Sequence, residues 1–144
     1  MAGDGPLTAA RFELSVDGRS LGVFAALVSI ASAIEVVEHS SGSETILERL
    51  PGRQKPPTVT LKRGVTRSIE MAAWHELVLF GDLAAARRSC SLTMFDATGD
   101  PVARYHLSDA WPMKVEITAL EFGGADVLME TVTLTCDVLQ RVSV

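Results

Sequence analysis

Three histidines, two cysteines and a scatter of carboxylates are the residues of this chain that could carry chemistry. His39 falls in a polar loop, His75 in a helical pattern and His106 in a strand pattern, and none has the spacing of a metal pair such as H-E-x-x-H. His75 and Glu76 are adjacent, which on a helix sets their side chains about 100° apart and makes them poor joint ligands. Asp96-Ala97-Thr98-Gly99-Asp100 has part of the spacing of a calcium loop but lacks the full ligand run and the closing Glu, so it reads as a hairpin turn. There is no Gly-x-Ser-x-Gly elbow and no phosphate loop. Cys90 and Cys136 lie in alternating apolar segments with no C-x-x-C or Cys/His cluster around them. They read as free, buried thiols of a reducing cytoplasm, not as zinc ligands or a disulfide. The expectation is a protein with no catalytic residue, no metal and no cofactor.

The elements that would have to position any site are mostly strands. The chain has 144 residues, enough for one domain with its own core, and 47% of them are hydrophobic against 22% charged. A net charge of −5 argues against affinity for nucleic-acid backbones and gives no basis for recognising a nucleic-acid sequence. Residues 1–10 (MAGDGPLTAA) have neither the basic nor the apolar region of a secretory signal and read as a flexible N-terminal arm, with the folded domain spanning 11–144. Phe12, Leu14 and Val16 alternate with polar residues as a strand, and Asp17-Gly18 is a hairpin turn signal.

From Ser20 to Ile34 there is no charged residue. Gly22, Ser29 and Ser32 and the shortness of the run exclude a membrane span, so no membrane insertion is expected. The run scarcely alternates, so it reads as a strand covered on both faces, by the chain's own helix or by a neighbouring subunit. Ala26, Val28, Ile30 and Ala31 are the candidate subunit-interface residues. Beyond them comes a long polar loop with a short return strand at Thr45–Leu47. Charge is segregated here: Glu35, Glu38, Glu44 and Glu48 lead, and Arg49, Arg53, Lys55, Lys62 and Arg63 follow, as in a solvated hairpin.

Pro51, Gly52, Pro56 and Pro57 exclude a helix from the next stretch, which continues into a strand with Val59 and Leu61 on one face and Thr58, Thr60 and Lys62 on the other. Thr66 is placed to cap a helix running to Phe80, with Gly81 as its stop and a stripe of Ile69, Ala73, Leu77 and Phe80 widened by Trp74 and Val78. Trp74, Leu77 and Trp111 are the expected core anchors, and His75 a surface residue. Strands then resume at Ser89–Met94, Val102–Leu107, Trp111–Ile117 and Thr131–Val138, with Gly123-Gly124 as a further turn. Pro112 favours an edge or a bulge. Seven or eight strands and one helix make a mainly β fold, two packed antiparallel sheets forming a β-barrel-like domain with one flanking helix.

Two stretches carry a resemblance. Leu50–Val65 (LPGRQKPPTVTLKRGV), followed by a short helix with a central Trp, and Asp96–Glu116 (DATGDPVARYHLSDAWPMKVE) occur in that order. Together they resemble the tail-tube proteins of contractile phages and the inner-tube proteins of related bacterial contractile injection systems, from about Phe12 to Leu139. The resemblance implies a structural subunit that forms stacked homohexameric rings around a channel, assembled in the bacterial cytoplasm and ending in a phage tail or a tail-like injection particle. It implies as partners the chain itself, a sheath protein, tube-initiator or spike and cap proteins, and a cargo or tape-measure protein in the lumen. The loop holding Glu38, His39, Glu44, Glu48, Arg49, Arg53 and Lys55 is then the one that meets the next ring, through contacts that raised salt weakens. Two alternatives stay open: a tube-initiator or baseplate homologue of the same fold, and a monomeric β-barrel that binds a small apolar ligand inside.

Overall fold

Alternation builds the strands and turn residues break them, as the order of elements in the computed structural model shows; it describes residues 5–40, 42 and 47–144. The strands are β1 (Arg11–Val16), β2 (Arg19–Phe24), β3 (Ala26–Ser40), β4 (Leu47–Gly64), β5 (Arg88–Phe95), β6 (Pro101–Phe122), β7 (Ala125–Thr135) and β8 (Val138–Val142). Two helices, α1 (Glu70–Leu79) and α2 (Leu83–Ala86), sit between β4 and β5. The strands join antiparallel in the order β2-β1-β5-β6-β7-β4-β3, with β8 on β6. The expected mainly β fold is present, and the two expected sheets are two halves of one network because β6 belongs to both. Its first part pairs with β5 and β8, and from Trp111 to Phe122 it pairs with β7. The turn at Asp17-Gly18 forms with both residues at positive φ (50° and 81°), as a tight hairpin turn requires.

The halves fold face to face over Leu14, Phe24, Val59, Leu61, Leu92, Leu107, Val132 and Leu134, all fully buried. These are the inward positions of the period-2 patterns, so burial follows the alternation.

Several boundaries differ from the sequence reading. The run from Ser20 is two strands, split at Ala25, and the second reaches Ser40. The two strands expected between Val102 and Ile117 are one strand of 22 residues. It bends where Asp109 takes φ 54° and where the register slips between Pro112 and Lys114, the bulge that a proline without an N–H calls for. The last expected strand ends at Thr135, and Val138 starts β8 instead. The prolines expected to hold a loop open lie inside β4, where pairing skips Pro56 and Pro57 between Thr58 and Lys55. The return-strand residues Thr45 and Ile46 lie outside the described residues, as do residues 1–4 of the expected N-terminal arm.

Helix α1 begins at Glu70, not after Thr66, whose hydroxyl instead accepts from the Ser68 N–H in a turn of its own. Gly81, at φ 82°, does end it. The buried face is Met71 and Trp74 with Leu77 and Val78 beside them, whereas Ile69 and Phe80 of the expected stripe are 75% and 81% exposed. The stripe is rotated because Trp74 is the side chain that finds a partner in the interior: its Nε1–H donates to the Ala86 carbonyl at 2.6 Å. His75 is half-buried, not on the surface, and its Nδ1 lies 2.8 Å from the Pro112 carbonyl, clamping the helix to the bend of β6. Among the described residues no helix is long and apolar enough to cross a membrane.

Candidate assembly interfaces

The half of the network made by β3, β4, β7 and the second part of β6 has a core face and a free face. Val59, Leu61, Val132 and Leu134 point inward, so Thr58, Thr60, Thr131, Thr133, Lys62, Lys114 and Glu116 point away from the core. Thr58 faces Thr135 and Thr60 faces Thr133 across the β4–β7 ladder, and the Thr60 and Thr133 hydroxyls are 3.2 Å apart. The face is a hydroxyl surface dotted with ammonium and carboxylate groups, suited to water and not to a second hydrophobic core.

This half also has two strand edges with no partner among the described residues. One is the outer side of β3, whose only partner is β4, and the other is the outer side of β6 from Trp111 to Phe122, whose only partner is β7. Strand direction alternates across the four, so β3 and β6 run antiparallel to each other. Of the candidate interface residues, Val28 (58% exposed) and Ala31 lie open on β3, Ala26 is half-buried, and Ile30, opposite Val59, packs on the chain's own core. The chain's own helix is not the second cover of β3, since α1 packs on β6 and α2.

Both pairs of long strands run past the core, at opposite ends. The β3–β4 hairpin overshoots from Ala33–Lys55 to Ser40–Leu47, and the β6–β7 hairpin from about Thr118 to Gly124. The predicted stacking residues sit on the first. Glu38 and Arg49 face each other and form an exposed ion pair at 3.9 Å, and His39 faces Glu48. Arg53 and Lys55 are exposed on β4, while Glu44 lies outside the described residues. The segregated charges thus meet across one hairpin and partly satisfy each other.

Sequence reading missed two features. The first is a buried ion pair, Arg63 Nε to Glu130 Oε1 at 3.0 Å, with the guanidinium also 4.5 Å above the Phe24 ring. A Cβ on Gly22 would collide with that guanidinium. Parity was the available signal, since Arg63 and Glu130 continue the inward series of Val59-Leu61 and Leu134-Val132. The second is the apolar β6–β7 tip, where Leu120, Phe122, Val127 and Leu128 are 44–75% exposed.

The core anchors Trp74, Leu77 and Trp111 all pack on the core, Trp74 buried and the other two half-buried. Cys90 and Cys136 are buried free thiols, and burial pushes their pKa values up to about 12 and about 11. Asp96 accepts from the Thr98 hydroxyl and from the Thr98 and Asp100 N–H groups, which lowers its pKa and closes a plain turn. Among the described residues no three His, Cys, Asp or Glu side chains are grouped to hold a metal.

A family model described as T4-like virus tail tube protein gp19 matches residues 8–140. No curated protein matches the chain by sequence. Among solved structures, the chain is similar to one from an extracellular contractile injection system, the PVC sheath-tube complex in the extended state (TM-score 0.74, 17% identity, 98% of this chain and 94% of that one). It is also similar to one from the anti-feeding prophage tube-terminating cap (0.74, 16%, 100% and 95%). Hcp1 from Flavobacterium johnsoniae is a more distant likeness (0.51, 12%, 90% and 93%).

Proposed function

The chain belongs to the T4-like virus tail tube protein family, and from that premise we propose that copies of it close sideways into homohexameric rings, which stack as the inner tube of a phage tail or contractile injection particle. The observation that carries the ring is the pair of antiparallel free edges on β3 and β6. Setting β3 of one copy beside β6 of the next continues the antiparallel alternation and leaves this half of the network no edge once the ring closes. Six copies supply 24 strands in four-stranded units, beyond the 16–18 at which a barrel already encloses water. The hydroxyl face of Thr58, Thr60, Thr131 and Thr133 then lines the channel, and β1, β2, β5 and the helices form the outer layer. A wet lining of hydroxyls, with Lys62, Lys114 and Glu116 of both signs among them, offers no apolar surface for a cargo or tape-measure protein to stick to.

The role is mechanical: shared backbone hydrogen bonds make a stiff conduit, which a sheath surrounds and a spike or initiator and a cap close at its ends. Assembly takes place in the bacterial cytoplasm, and no catalytic step belongs to this chain. The barrel interior is filled by Leu14, Phe24, Leu61 and Leu92, so the apolar-ligand alternative has no support here. Electron microscopy of the purified chain tests the reading. Rings with a central channel are expected, and V28K/A31K, which places two ammonium groups along the β3 edge, should give folded monomers. Rings of unchanged size from V28K/A31K overturn the edge assignment.

A further inference from the structure

We infer that the channel face carries a surplus of positive charge, which selects an acidic polypeptide as the molecule the tube holds. This rests on the tube reading above and names the chemistry of its cargo.

In the four-stranded part the face has three charged groups among its threonine hydroxyls: Lys62, Lys114 and Glu116. Register sets them in two rows. Lys62 and Glu116 flank Thr131 in one, and Lys114 stands beside Thr133 and Thr60 in the next, about 7 Å along the strands. Glu116 therefore has one lysine across its own row and the other two residues away on its own strand, and it offsets one of them. Neither lysine is in an ion pair among the described residues. Glu121 and Asp126 of the β6–β7 tip have the opposite parity and fall on the core-facing side. Two cations against one anion leave the face one net positive charge per copy. The chain as a whole carries −5, so this face has the opposite sign to the rest of the molecule.

Sign and spacing together decide the occupant. Twenty-four strands about 4.8 Å apart make a wall about 115 Å round and about 37 Å across, wider once the strands tilt. Six Lys114 side chains on that wall stand about 19 Å apart. A nucleic-acid duplex carries one charge per about 1.7 Å of its length and needs clustered cations. Sparse lysines interleaved with a carboxylate match the sparse carboxylates of a polypeptide instead. An acidic polypeptide is also repelled by the outer surface, where the chain's negative charge lies, and drawn to the inner one. At physiological salt the screening length is about 8 Å, so each lysine acts only on a chain close to the wall. The hold comes from the repeat of the rows in ring after ring, and it is loose enough at each point for the cargo to slide.

The experiment uses tubes of the full chain, checked by electron microscopy, and a fluorescein-labelled peptide of Glu-Gly-Ser repeats. Salt is kept at about 0.01 M, where the screening length is about 30 Å, and the peptide that sediments with the tubes is measured. K114Q removes the surplus and should lower retention about ten-fold, whereas E116Q doubles the surplus and should raise it. R87Q removes the same charge from the exposed residue after α2, in the outer layer, and should leave retention unchanged. Equal retention by K114Q and unaltered tubes overturns the inference, as does an R87Q loss as large as that of K114Q. The order is read from whichever of K114Q and E116Q forms tubes, and either one out of order overturns it. Failure of both to form tubes overturns it too, by assigning the two residues to ring closure. Single-stranded DNA of the same length held more tightly than the peptide replaces the acidic polypeptide with a nucleic acid. An unaltered chain that forms no tubes defeats the tube reading itself, before any peptide is added.

Discussion

Arg63 and Glu130 are almost out of water, at 6% and 9% exposure, and each is the other's only ion-pair partner among the described residues. Glu130→Ala leaves a guanidinium buried against Phe24 without its carboxylate, and should cost about 3–5 kcal/mol in urea unfolding. Replacing both, R63M/E130L, should recover most of that loss, because the penalty comes from a charge stranded in the interior and not from the absence of the pair. Cys90 and Cys136 give the residue scale its pH dependence. Their folded-state values, about 12 and about 11, lie above the ordinary 9.0, so both are thiols at neutral pH. Their contribution to stability is intact below pH 9 and is lost as the pH climbs toward those values. Iodoacetamide should label neither in the folded chain at pH 7.5 and both after unfolding, which mass spectrometry reads directly.

At the scale of elements, the helix–bend clamp is the feature to test. Trp74 and His75 leave α1 toward two different carbonyls, Ala86 in α2 and Pro112 in β6. They hold the helical layer to the strand that both halves of the network share. Trp74→Ala should cost about 3–5 kcal/mol from lost burial. Trp74→Phe keeps most of the volume but leaves the buried Ala86 carbonyl without its donor, and should cost about 1–3 kcal/mol. Thermal unfolding of the two variants separates packing from the hydrogen bond.

For the whole molecule, salt separates the two kinds of contact. Backbone ladders and apolar contacts survive screening, whereas contacts held only by exposed charge do not. At 1 M salt, where screening acts within about 3 Å, tubes are expected to persist in sedimentation and microscopy. Salt-sensitive stacking is the opposite expectation, read from charge segregation in the sequence, and this measurement decides between the two. Tubes that dissolve into rings at 1 M salt would return the stacking to Arg53, Lys55 and their neighbours.

What the sequence by itself determined was local. Period-2 alternation placed Phe12-Leu14-Val16, Cys90-Leu92-Met94 and Val132-Leu134 inside, Gly81 stopped the helix, and Pro112 marked its bulge, since each follows from the geometry of a few adjacent residues. The two signature stretches likewise pointed to the family that the model match over 8–140 shows. Tertiary structure decided everything that depends on partners far along the chain. Arg63 meets Glu130 from 67 residues away, and the helix turns Met71 and Trp74 inward, not Ile69 and Phe80, because Ala86 and Pro112 wait on that side. The two free edges and the two overhanging hairpins came from topology as well. A strand's sequence records which of its faces is apolar, but not which strand lies beside it or where that neighbour ends. Those depend on how the whole chain is threaded.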